Sequence, residues 1–93
     1  MQPMTARKLA TLPKAILEHV ALVQLRALVG NNQISDVIVE QTSTSIAKPN
    51  WKIAGIRNAR GHVYTRKNIP PHVLPGILCT QDLLSQHYNL RSD

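Results

Sequence analysis

PKAILEHVALVQLRALV, residues 13–29, constrains the fold of this chain more than any other stretch. Pro13 suits a first helical position because its missing N–H would be unpaired there anyway. Gly30-Asn31-Asn32 supplies a stop. Between them Ile16, Val20, Val23 and Ala27 recur at i, i+4, i+7 and i+11, with Leu17, Ala21 and Leu28 beside them, so the stripe reads as the packing face of a helix over 13–29. Leu22, Leu25 and Val29 lie off that stripe. A helix apolar on more than one side leaves surface to be covered by the N-terminal arm or by a second subunit.

The surrounding chain is short. Ninety-three residues suit a single domain, and a chain of this size removes only about 60–65% of its unfolded surface from water. Phe is absent and there are one Trp and two Tyr, so the interior is expected to be aliphatic with Trp51 as its largest buried side chain. Cys79 is the single cysteine and has no internal partner, which fits a reducing, cytoplasmic setting. The N-terminal stretch turns from basic to apolar like a presequence, but Glu18, His19, Gln24 and Arg26 interrupt it. Its longest unbroken apolar run, Val20 to Val23, is far short of the ~18 residues that a membrane span needs.

Past the helix, residues 34–44 (ISDVIVEQTST) are rich in β-branched side chains and set Val37 and Val39 against Ile38 and Glu40, as a strand does. SIAKPN turns the chain. NWKIAGI is a second strand, and regular alternation places Trp51, Ile53 and Gly55 on one face and Lys52, Ala54 and Ile56 on the other. Asn58 to Gly61 reads as a turn, and His62 to Thr65 is either a short third strand or an extended arm. From Leu74 the pattern is helical, with Leu74, Ile77, Leu78, Leu84 and Tyr88 on one side and Pro70-Pro71 as a rigid approach. The expectation is an α+β domain over 13–93, a small two-layer fold of order α-β-β-(β)-α with two helices on one face of a short antiparallel sheet. Residues 1–12 carry no strong period and read as a mobile arm. The order resembles in outline the double-stranded-RNA-binding domain. That family has a lysine-rich start to its second helix, whereas PPHVLPGILCTQDLL has no Lys or Arg, and outline alone implies no function.

The formal charge is +6, and residues 48–67 account for the excess, with six bases and no acid. Lys52, Arg57, Arg60, Arg66 and Lys67 are therefore the candidate contacts to nucleic acid or another polyanion, because phosphate binding needs several cations on one surface. Lys52 and Arg57 are five apart, so a regular strand points them to opposite faces. Arg57, Arg60, Arg66 and Lys67 are the set that can cluster, depending on how residues 57–67 fold back.

Other chemistry finds little support. No CxxC or HxxxH spacing occurs, and His72 and Cys79 are about 10 Å apart along a helix axis. Asp36 and Glu40 share a strand face about 13 Å apart, too far for an acid/base pair. The four glycines, at 30, 55, 61 and 76, form no phosphate loop. The expectation is a non-catalytic interaction module without metal or cofactor, self-associating as a homodimer through a sheet edge or a helix. Nucleic-acid binding through the basic segment is the alternative.

Overall fold

The computed structural model of the chain describes residues 9–30, 33–42 and 50–91. It contains β1 (Ala10–Leu12), α1 (Lys14–Val29), β2 (Ile34–Gln41), β3 (Trp51–Asn58), β4 (Val63–Thr65), α2 (Leu74–Ser85) and β5 (Tyr88–Leu90). Strands β2, β3 and β4 form an antiparallel sheet in that order, and β1 pairs with β5 in a separate parallel ladder. The helices touch each other, α1 against β2 and α2 against β3, so the expected α+β class and the two-helix layer are present. The expected α-β-β-β-α order lies between two further short strands. The connection 43–49, with the expected turn SIAKPN at 45–50 except Asn50, lies outside the described residues.

The ends of α1 follow from their residues. Pro13 occupies the N-cap position, and Gly30 closes the helix at φ 62 with its N–H bonded to the Arg26 carbonyl. Its rotation differs from expectation. Leu17, Ala21, Leu22 and Leu25 are buried, while Ile16 and Val23 are 51% and 56% exposed, Ala27 is exposed and Val20 is half-buried. Of the expected stripe only Val20 packs against the core, while Ile16, Val23 and Ala27 face outward. Two polar residues account for this rotation: the Glu18 carboxylate accepts from the Val39 N–H at 2.9 Å, and Arg26 Nε donates to the Ile34 carbonyl at 2.8 Å. Both bonds require the helix to turn that side to β2, and the three leucines go inward with it.

Two bulges set the phase of the sheet. Pairing runs Ile38↔Gly55 and then Val39↔Ile53, leaving Ala54 as an extra residue in β3, and Ser35 is likewise extra in β2. Each bulge inserts one residue and shifts the alternation beyond it. Ile53 and Ile56, three apart, both enter the core, as do Ile34 and Val37. Ile56 is thus 2% exposed, not on the outer face that regular alternation gives it. At the bulge β3 also approaches β4 closely, and a Cβ on Gly55 would overlap the Tyr64 carbonyl oxygen.

The third strand exists as β4, which adopts the strand form of His62 to Thr65. Its hairpin turn is organised by Asn58, whose Oδ1 accepts from the N–H groups of Arg60 at 3.0 Å and His62 at 2.9 Å. Helix α2 starts at Leu74 as expected, after a turn in which the Pro70 carbonyl accepts from Val73 and Leu74. It stops earlier than the apolar period suggests. Gln86 and His87 donate to Leu83 and Leu84 in a tight final turn, and Tyr88, expected on the helix, begins β5. Leu78, placed on the packing side by the sequence, is exposed; Ile77, Thr80 and Leu84 are buried instead.

Residues 10–12, at the end of the segment read as an arm, pair with residues 88–90. The other side of β5 is held by side chains. Trp51, 2% exposed, donates from Nε1 to the Tyr88 carbonyl at 3.0 Å. Asn50 donates to the Leu90 carbonyl and accepts from its N–H, both at 2.7 Å.

Candidate functional site

The five candidate cations are not gathered. The bulge at Ala54 puts Lys52 and Arg57 on the same outer face of the sheet, where regular alternation separates them. On that face one of the two is ion-paired and the other has an acidic cross-strand neighbour. Lys52 lies across from Glu40 in register, and Arg57 Nη1 is 3.4 Å from Asp36 Oδ2, with side chains 48% and 55% exposed. An exposed pair of that kind adds little stability, about 0–1 kcal/mol, but the carboxylate offsets part of the charge that Arg57 would offer an anion. Asp36 and Glu40 thus stand on the outer face beside Arg57 and Lys52.

Arg66 has a different task. Its Nε donates to the Ile53 carbonyl at 2.7 Å and its Nη2 to Gln81 Oε1 at 2.6 Å, while the same Gln81 oxygen accepts from the Ile53 N–H at 2.9 Å. Strand β4 pairs only with Gly55, Ile56 and Arg57. Ile53 therefore turns its backbone groups toward an edge that has no strand, and Arg66 with Gln81 replaces the missing strand. A half-buried guanidinium committed to two acceptors has a structural task and fewer donors left for a phosphate.

Arg60 and Lys67 remain, both exposed, with no side-chain hydrogen bond or ion pair among the described residues. Arg60 sits in the turn before β4 and Lys67 in the turn after it, so a whole strand separates them. Lys48 lies outside the described residues. Aromatic surface for stacking bases is also scarce, because Trp51 is buried and the half-buried Tyr64 ring lies 4.6 Å from that of His62.

The ionisable groups weighed for catalysis stand apart as well. Cys79 is exposed on α2, His62 lies in the β3–β4 hairpin, and His72 lies in the approach to α2. Among the described residues no group of three His, Cys, Asp or Glu side chains is placed to hold a metal ion. Two open grooves, of about 360 Å³ along Lys14, Ile38–Gln41, Leu90 and Arg91 and about 310 Å³ along Gln33, Asn58, Ala59 and Arg60, are lined by neither His nor Cys. No described helix is long and apolar enough to cross a membrane.

What the geometry does assemble is the outer stripe of α1: Ile16, Val23 and Ala27 are exposed, and the half-buried Val20 between them also packs against the core. The charged side chains in the middle of the helix leave this stripe clear. Glu18 and Arg26 both reach back to β2, so the outward surface carries apolar groups flanked by His19 and Gln24. The sequence announces surplus apolar surface on this helix; it does not announce which side, because both sides repeat with the helical period.

No family model matches the chain, and no curated protein or solved structure matches it significantly.

Proposed function

We propose that this chain is a small non-catalytic interaction module that self-associates through the outer face of α1. The observation that carries the proposal is the exposure of Ile16 and Val23, each more than half open to solvent on a helix whose other side is packed. A contiguous apolar face of this kind, free of charge along its length, is the usual mark of a protein contact.

The state of the strand edges supports a helical contact over a strand-to-strand one. The free edge of β2 is bonded by Glu18 and Arg26, the uncovered part of β3 by Gln81 and Arg66, and the Thr65 N–H of β4 by Asn68 Oδ1 at 2.7 Å. Side chains that occupy edge donors and acceptors block sheet extension. Cys79, exposed and without a disulfide, fits a reducing cytoplasmic setting.

Size-exclusion chromatography with light scattering tests the proposal against nucleic-acid binding. The mass should climb with concentration toward two chains, and an added mixed-sequence oligonucleotide should not co-elute. A single-chain mass at every concentration, with co-elution that weakens steeply as salt rises, would instead favour the basic segment. Arg60→Ala with Lys67→Ala is the clean probe of that outcome, because Arg66 also holds the fold.

A further inference from the structure

We propose that β1 is a releasable strap, which opens about Pro13 while its ladder partner β5 stays folded on the core. The inference goes beyond the contact on α1 and does not depend on it. Groups of different kinds hold the two sides of β5. On one side the Ala10 N–H donates to the His87 carbonyl at 3.0 Å and the Arg91 N–H to the Leu12 carbonyl at 2.8 Å. Successive residues of a strand turn their backbone groups to opposite neighbours, so Asn89 faces β1 while Tyr88 and Leu90 face away from it. There Trp51 Nε1 reaches the Tyr88 carbonyl at 3.0 Å and Asn50 takes both backbone groups of Leu90. This second hold does not need β1. Trp51 and Leu90 are 2% and 5% exposed, and Trp51 begins β3.

Little holds β1 itself. Of its residues Ala10 and Thr11 are exposed, and the half-buried Leu12 is the one that packs against the core. Its link to α1 is Pro13 alone. Proline has no N–H to lose a partner, and the Pro13 carbonyl accepts from the Leu17 N–H at 2.9 Å, so the opening stops there without uncoiling α1. A segment with so few buried apolar contacts opens at far lower cost than the whole domain. Opening bares the His87 carbonyl and the Arg91 N–H on one edge of β5, a strand edge that the closed strap conceals.

Native-state amide exchange on the intact protein reads this residue by residue. Corrected for intrinsic rates, the N–H groups of Ala10, Asn89 and Arg91 should exchange at least about tenfold faster than that of Leu90, although Leu90 lies between two of them. Their rates should depend little on low urea, because the strap exposes little surface, whereas Leu90 should follow global unfolding. Asn50→Ala separates the two holds. It should speed Leu90 by about tenfold or more and leave Asn89 and Arg91 near their rates in the unmodified protein. Asn89 and Arg91 exchanging no faster than Leu90 in the unmodified protein, whether all wait for global unfolding or all leave with β1, would overturn the strap. A common acceleration of all three by Asn50→Ala would overturn it as well.

Discussion

Asn50 holds Leu90 as a neighbouring strand would, with its carboxamide giving one bond to the backbone carbonyl and taking one from the N–H. Leu90 is buried, so losing both bonds leaves a donor and an acceptor without partners. Asn50→Ala should therefore cost about 2–3 kcal/mol, read as a lower urea midpoint at unchanged slope. Asn50→Asp should recover only part of the loss, because the carboxylate accepts from the N–H but repels the carbonyl. Arg66 and Gln81 play the same part for Ile53. None of these three roles is visible in the sequence, where Asn50 closes a loop, Arg66 adds to a basic run and Gln81 is one polar residue on an apolar helix. Bonds from a side chain to a distant backbone depend on the tertiary arrangement, and no local period announces them. Asn58 is the contrast. Its bonds reach only two and four residues along the chain, so the turn it organises is readable as NARG.

At the scale of elements, the positions of α1, β2, β3 and α2 follow from hydrophobic period and from Pro and Gly, whereas their phases do not. The sheet bulges leave a trace all the same: Ile34 and Val37, and Ile53 and Ile56, are apolar pairs three apart within strands. Two-residue alternation has no place for that spacing, and an inserted residue restores it. The bulge in β3 explains why Lys52 and Arg57, which look separated by parity, share a face, where Asp36 and Glu40 stand across from them in register. The rotation of α1 was ambiguous because both of its faces are apolar, and the tie comes from Glu18 and Arg26 finding β2. The early stop of α2 was hidden because Tyr88 continues the Leu84 period, while the pull of Trp51, Asn50 and β1 on residues 88–90 is long-range. Two glycines separate backbone contact from side-chain contact. Gly55→Ala drives a Cβ into the Tyr64 carbonyl and should cost about 1–3 kcal/mol by forcing β3 from β4. Gly76→Ala meets Val29 Cγ1 at 2.9 Å and Leu25 Cδ1 at 3.2 Å, ends of side chains that can yield. It also gains about 1 kcal/mol of helix propensity. Its urea midpoint should thus fall less than that of Gly55→Ala.

For the whole molecule, the excess of positive charge and the surplus of apolar surface occupy different places. The candidate cations are dispersed over the outer sheet face, the two turns flanking β4 and a structural knot, whereas most of the exposed apolar side chains lie on the helices, Ile16, Val23 and Leu28 on α1 and Leu78 and Leu83 on α2. The proposal places the contact on the outer face of α1, where Ile16 and Val23 are the most exposed of the large apolar side chains. Amide chemical shifts in a dilution series of the isotopically labelled protein test this most directly. The account predicts concentration-dependent shifts centred on Ile16, Val20, Val23 and Ala27, with the β3–β4 hairpin unchanged. Shifts that do not depend on concentration, or that centre on Leu78 and Leu83 of α2 or on the edge of β2, would contradict it.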